Sequence, residues 1–304
     1  MTFEQLRIFV AVAERQHLTR AAEALGLTPS AVSSAIKTLE AYYNVELFHR
    51  VGRGIELTES GRVFVQEARA TLNRVRSAEL ILSEMGGLTR GEIRVFASQT
   101  IASYWLPPIL MQFKQLYPGV SVTLEVGNTR TVTEAVLKGL AEIGFIEGHI
   151  DEPALSVRPV VSDKLLVVAG PLHPFADGRH LTAEDIKSTN WVLREQGSGT
   201  RSAFEAALAA MDISLSDLKV TLELPSNEAV VAAARAGGAA AVVSASVASL
   251  MLRQGLLARA GIDLPARQFA LLTHKERRSS RASMELERLS RESSENYKAG
   301  LAGL

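Results

Sequence analysis

The chain has 304 residues, 47% of them hydrophobic, with 33 Lys plus Arg against 33 Asp plus Glu and no cysteine. That length allows two domains, and the composition is that of a soluble globular protein without extensive disorder. The absence of Cys excludes a disulfide framework, a thiolate metal site and a cysteine nucleophile, while the balanced charge excludes the strongly basic footprint, pI above about 9, of many nucleic-acid-binding domains.

Phe3, Leu6, Phe9, Val10 and Ala13 recur at helical spacing and predict a first helix over residues 3–15. Thr19 is placed to cap a short second helix through Arg20 and Leu25, and Gly26 stands where a helix end favours positive φ. Thr28 or Ser30 can cap the next helix, with Pro29 in its first turn. Two helices joined by a short glycine-containing turn are the helix-turn-helix pattern, which any small three-helix bundle can imitate. In that pattern the second helix enters the major groove. Val32, Ile36 and Leu39 form its buried stripe, which leaves Thr28, Pro29, Ser30, Ala31, Ser33, Ser34 and Lys37 for DNA. Arg, Asn and Gln are missing from this helix, so few bidentate base contacts are available. Shape readout and phosphate contacts must carry more of the recognition. Arg20 on the preceding helix joins this set. Next, Arg50 and Arg53 flank Gly52 in a turn that reads as a β-wing against the DNA backbone or minor groove; a surface hairpin with solvated arginines is the alternative.

These segments resemble the LysR-type transcriptional regulators. The opening Phe3-Glu-Gln-Leu-Arg-Ile-Phe-Val-Ala-Val-Ala-Glu resembles the family's first helix, and Leu18 through Glu40 its helix-turn-helix. Leu47-Phe48-His-Arg50 and Leu57-Thr58-Glu-Ser-Gly61 resemble the wing and the start of the linker helix. The chain departs from the family pattern at Pro29, at Ser34-Ala35 and at Asn44, which leaves the operator sequence unassigned. The resemblance implies a transcription regulator rather than an enzyme, acting in the cytoplasm on double-stranded operator DNA. It implies a palindromic site with a T and A core spaced by about eleven bases, two half-sites one helical turn apart. Self-association as homodimer or homotetramer is implied as well, with RNA polymerase as a candidate partner.

Residues 59–85 contain no proline, and Phe64, Ala68, Leu72, Val75, Leu82 and Met85 recur every three or four residues. This predicts a long amphipathic linker helix that dimerises by antiparallel packing, the alternative being that it packs on its own domain. After Gly91 strands and helices alternate. Strands are expected over 92–97, 120–126, 143–146, 165–169, 191–193, 220–224 and 239–243, with helices over 104–116, 131–139, 202–211 and 228–236. The order predicts a parallel sheet flanked by helices. Ala229 to Leu252 is apolar, but Arg235, two glycines and several serines make it a buried helix–strand–helix rather than a membrane span. A charged terminal helix over 275–298 docks through Met284 and Leu289.

The resemblance makes this region a two-lobed periplasmic-binding-protein-like effector domain, with crossovers near 160–162 and 265–268. The whole chain is then α/β. Residues 1–58 form an α-rich winged helix-turn-helix domain, 59–88 a linker helix and 89–304 the effector domain. Within the last, lobe I comprises 91–161 and 267–304, and lobe II 162–266.

Ligands of open α/β sheets bind beyond the carboxyl ends of the strands. Four strand-to-helix junctions place hydroxyls, amides or arginines there: Ser98-Gln99-Thr100, Asn128-Thr129-Arg130, Ser198-Gly199-Thr200-Arg201 and Ser226-Asn227. Any one junction reads more readily as simple capping, but four of them, with helix N-terminal N–H groups and two arginines, suit a small anionic effector. Glu195-Gln-Gly-Ser-Gly-Thr-Arg resembles the branch regulating carbon fixation or sulfur assimilation, where effectors are small anions, phosphorylated metabolites or related cofactors. Neither a metal, a resident cofactor nor catalysis is expected: the six histidines show no metal-ligand spacing, and no G-x-S-x-G elbow offers a serine nucleophile. A solute-binding protein with an accessory domain and an α/β enzyme are the competing readings. No charged-then-apolar leader supports the first.

Overall fold

The computed structural model describes residues 1–51, 54–85 and 91–293. It divides into two compact units, one built on residues 1–82 and one on 83–137 and 141–304.

The first unit starts with α1 (Phe3–Arg15), whose N-terminus is closed by a reciprocal Thr2–Gln5 capping box. It buries Leu6, Phe9 and Val12, but Phe3 stays exposed, before the stripe reaches the core. Helix α2 (Leu18–Leu25) begins directly after His17, so Thr19 lies inside it and caps nothing. Burial of Ala21 and Ala22 fixes where this helix starts, in place of a hydroxyl cap. Gly26 ends it at φ 68°. Thr28 caps α3 (Pro29–Tyr43), its hydroxyl accepting from the Ala31 N–H at 3.2 Å, with Pro29 in the first turn. Strands β1 (Phe48–Val51) and β2 (Gly54–Leu57) pair antiparallel as the wing. Phe9 packs its ring against Phe48 and Phe64, joining α1, the wing and α4 (Glu59–Met85) into one core. On α4 the residues buried in that core are Val65 and Ala68, flanked by partly buried Phe64 and Leu72. Its first turns therefore pack on their own unit. The side chains of Leu82 and Met85 lie outside the described residues, as do Gly52 and Arg53.

The second unit contains two five-stranded sheets. Lobe I has the order β4-β3-β5-β12-β6, from β3 (Gly91–Ser98), β4 (Val120–Gly127), β5 (Ile143–Glu147), β6 (Leu155–Asp163) and β12 (Arg267–His274). Lobe II has the order β11-β7-β10-β8-β9, from β7 (Leu165–Ala169), β8 (Asn190–Arg194), β9 (Lys219–Leu224), β10 (Ala240–Ser244) and β11 (Ala258–Arg259). Both sheets are mixed, which corrects the parallel expectation. Strands β3, β4 and β5 run parallel, but β12 pairs antiparallel with β5 and β6, and β10 pairs antiparallel with β7. Returning strands of this kind come from distant sequence and leave no trace in the local strand–helix order.

The flanking helices are α5 (Leu106–Leu116), α6 (Thr129–Leu137), α7 (Ala183–Ser188), α8 (Gly199–Ala209), α9 (Asn227–Arg235), α10 (Ala245–Arg253) and α11 (Arg281–Glu292). A widened π-type turn, Ile101–Trp105, leads into α5. Ala229 to Leu252 forms a helix, a strand and a helix, and no described helix is long and apolar enough to cross a membrane. Helix α11 docks through Ala282, Leu286 and Leu289, while Met284 is exposed, contrary to expectation. Met284 lies two residues from both Ala282 and Leu286, and on a helix that spacing points it away from the buried face. Strand β6 runs to Asp163, which puts the first crossover at Lys164, and β12 starts at Arg267 after the second.

Candidate DNA-binding and effector sites

On α3 the exposed residues Ser30, Ala31, Ser34, Lys37, Thr38 and Ala41 repeat at three- and four-residue intervals, forming one solvent face opposite Val32, Ile36 and Leu39. Ser33 is only half-exposed, at the edge of that face. Thr28 and Pro29 are exposed at the helix start, where the Thr28 and Ser30 hydroxyls lie 3.0 Å apart. Thr38, absent from the sequence-based set, donates to the Ser34 carbonyl at 2.8 Å. Lys37 is the cation of this face. Arg20 is exposed on α2 and Arg50 on β1; Arg53 falls outside the described residues.

In the second unit the four predicted junctions converge between the lobes, where the first and the fourth bond to each other and the others bond to residues beside them. The Asn227 N–H donates to Gln99 Oε1 at 2.6 Å, and Asn227 Nδ2 to Thr100 Oγ1 at 3.0 Å. Gln99 Nε2 donates to Glu228 at 2.7 Å, joined there by the Tyr104 hydroxyl. Asn128 Nδ2 donates to Glu195 at 3.1 Å, and the Arg130 N–H to the Gly197 carbonyl at 3.2 Å. Thr129 donates its hydroxyl hydrogen to the Glu147 carbonyl at 3.0 Å. Ser226 serves as the cap of α9, accepting from the Ala229 N–H. Gly199 sits so close to β5 that a Cβ there would lie 2.3 Å from the Glu147 carbonyl oxygen.

Beneath the junctions lies a charged network that the sequence reading did not single out. Glu147, 2% exposed, accepts from the Ser98 hydroxyl at 2.8 Å, the Thr100 N–H at 3.2 Å, the Thr200 hydroxyl at 3.2 Å and Arg267 Nη1 at 2.6 Å. Arg267 Nε donates to Asp163 at 2.9 Å, and Asp163 accepts from the Ser244 hydroxyl at 2.6 Å. Arg194 pairs with Glu195 and donates to Asn227 Oδ1 at 2.9 Å. Burial alone would push the Glu147 carboxyl up, but the Arg267 guanidinium and the Thr100 and Ser98 hydrogen bonds outweigh it and hold it below the ordinary range. For Asp163 burial wins, and its carboxyl is raised despite Arg267 and Ser244. Burial and then the Glu228 charge also raise the Tyr104 hydroxyl. The sequence held one clue: Glu147 closes the otherwise apolar strand Ile143–Glu147, where an acid demands a partner.

The predicted cations differ in circumstance. Arg201 is committed, donating to Glu205, to Glu223 and to the Arg194 carbonyl. Arg130 is exposed, and its guanidinium has no partner among the described residues. It lies across Gly197, where a Cβ would approach its Nε to 3.2 Å at a φ of 87°. Ser198 stands at the N-cap of α8 without capping it; its hydroxyl is buried and unpartnered.

Family comparisons agree with this architecture. Residues 3–62 match the bacterial regulatory helix-turn-helix protein, lysR family, and residues 86–294 match the LysR substrate binding domain. The chain is 35% identical over 265 residues to the HTH-type transcriptional regulator YeiE of Escherichia coli (strain K12), spanning 87% of this chain and 88% of YeiE. It is 33% identical to a "Probable RuBisCO transcriptional regulator" of Cyanidioschyzon merolae, over 93% of this chain and 95% of that protein. In fold it resembles full-length CbnR complexed with its target DNA, with a TM-score of 0.71 at 23% identity, covering 97% of this chain and 99% of CbnR. With both domain models matched and these relatives aligned along most of their length, the chain belongs to the LysR family of DNA-binding transcriptional regulators and carries that family's effector-binding domain.

Proposed function

We propose that the protein is an effector-responsive regulator in which a small anion, bound between the lobes, changes how a self-associated assembly holds operator DNA. One observation carries the anion: Ser198 keeps a buried, unpartnered hydroxyl at the uncapped N-terminus of α8, with the unpaired Arg130 guanidinium across Gly197. A buried polar group without a partner costs about 1–3 kcal/mol, and an uncapped helix N-terminus favours negative charge. Arg130 and Ser198 are then the first ligand contacts. Gln99, Asn128, Thr129, Ser226 and Asn227 shape the walls around them.

Residues 1–58 take the DNA in this reading, through Ser30, Ala31, Ser34 and Lys37 in the major groove and Arg50 with Arg53 at the wing. Residues 59–88 link and dimerise the chains at the spacing of two half-sites, and 89–304 sense the effector. Relatives named for RuBisCO regulation support carbon metabolism as the setting, and the match to a bacterial DNA-binding regulator favours the cytoplasm as the place. The test is thermal stabilisation of the full chain across sulfate, phosphate, bicarbonate and sugar phosphates, repeated in Arg130→Ala and Ser198→Ala. A saturable shift from one anion, lost in both variants while operator affinity is kept, is the expected result. An unresponsive wild type defeats the anionic reading; a response that survives both substitutions defeats the site.

A further inference from the structure

We propose that Glu147 is a tethered anion: its carboxylate fills an oxyanion subsite deep between the lobes and holds them together in place of a ligand. The donor set is the argument. Two hydroxyls, one backbone N–H and one guanidinium surround a carboxylate that is 2% exposed, and they come from both lobes. Ser98 and Thr100 belong to the β3 junction of lobe I, Thr200 to the start of α8 in lobe II, and Arg267 to the crossover. This is the constellation that a free carboxylate or similar oxyanion would recruit, charge-assisted on one side and helix-terminal on the other. Here β5 delivers the anion from its own last residue.

The backbone is shaped to permit the delivery. Gly199 lacks the Cβ that would strike both the Glu147 carbonyl at 2.3 Å and its Cβ at 2.6 Å, so α8 can close onto the strand end. Arg267 is then shared: Nη1 serves Glu147 and Thr200, and Nε serves Asp163. With the deep subsite occupied by the chain itself, a second anion meets Glu147 rather than its donors. A free effector is thereby confined to the outer position by Arg130 and Ser198. This last consequence rests on the effector reading given above; the tethered anion itself does not.

The experiment removes the tether and supplies the anion. In full-length Glu147→Ala, melting temperature is followed against sodium formate, with sodium chloride replaced to keep ionic strength constant. The variant is expected to melt well below wild type in chloride and to recover saturably in formate. At ten times the formate dissociation constant the rise should be about 3–6 °C, while wild type stays unmoved. Adding Thr200→Val should weaken formate binding several-fold, because the lobe II donor is lost. Glu147→Gln fills the same space without charge; it should be less stable than wild type and indifferent to formate. A Glu147→Ala chain that is equally stable in formate and chloride, or fails to fold in either, overturns the proposal. So does a Glu147→Gln chain as stable as wild type. No natural effector enters this measurement, so its failure is separable from failure of the Arg130 and Ser198 test.

Discussion

Replacing Arg267 by Met tests how much the second unit depends on one guanidinium. The side chain is 2% exposed and lies between two carboxylates, Glu147 at 2.6 Å and Asp163 at 2.9 Å. Met roughly preserves the volume and removes the charge, leaving two acids with little solvent and without the counterion they share. Breaking one buried pair by removing a partner costs about 3–5 kcal/mol. For a unit of this size each kcal/mol is worth roughly 2–4 °C, so a loss of about 4 kcal/mol lowers the melting temperature by roughly 8–16 °C. The pH dependence gives the mechanism away. In wild type Glu147 is held below its unfolded value, so its contribution is present above that value and is lost as pH falls through the folded one. In the variant both folded-state values rise above the unfolded ones. The penalty is then complete above the raised values and shrinks as acid protonates the orphaned carboxyls. Urea denaturation at pH 8 and pH 5 reads both effects. A gap between wild type and variant that is equal at the two pH values, or below about 1 kcal/mol at pH 8, refutes the electrostatic account.

Other outcomes follow from the geometry. Lys37→Ala should weaken operator binding nearly uniformly across sequences if the ammonium meets phosphate, and reduce the slope of log affinity against log salt by about 1, measured by anisotropy titration. Loss confined to one base position would assign Lys37 to base reading instead. Thr28→Ala removes the α3 cap and should cost about 1 kcal/mol, seen as a lower melting temperature of the first unit with little change in its circular dichroism. Gly199→Ala drives a methyl into the Glu147 carbonyl and should cost about 1–3 kcal/mol of stability, read by urea denaturation; neutrality there would mean that α8 can slide off β5.

The DNA-binding half was readable because its signals are local. Thr28, Pro29 and Gly26 act within one turn of themselves, and the Val32–Ile36–Leu39 stripe needs no distant partner to be recognised. Thr19 misled for the same reason that usually makes caps informative. It is a good cap residue, but helix packing through Ala21 and Ala22 started α2 earlier. In the effector half the four junctions were visible as hydroxyl-rich strand ends, and they do meet. What they meet was hidden. Glu147 finds Thr200 and Arg267 from 53 and 120 residues away, and Arg267 finds Asp163 across 104. Such pairings depend on the antiparallel return of β12, which no periodicity announces. Arg130 and Arg201 looked alike in sequence, and only the neighbouring Glu205 and Glu223 separate a committed guanidinium from an available one.

The crossovers have a consequence for modularity. Arg267 and Asp163 stand opposite each other at the mouths of β12 and β6, so the chain leaves lobe I and re-enters it at adjacent points. Each lobe keeps its own apolar core, one around Phe113, Phe145 and Phe269, the other around Trp191 and Phe204. Lobe II is thus topologically an insert spliced into a single hairpin. Exchange of that insert between related chains, joined at these two strand ends, is a recombination that the host sheet can accept without changing its own strand order.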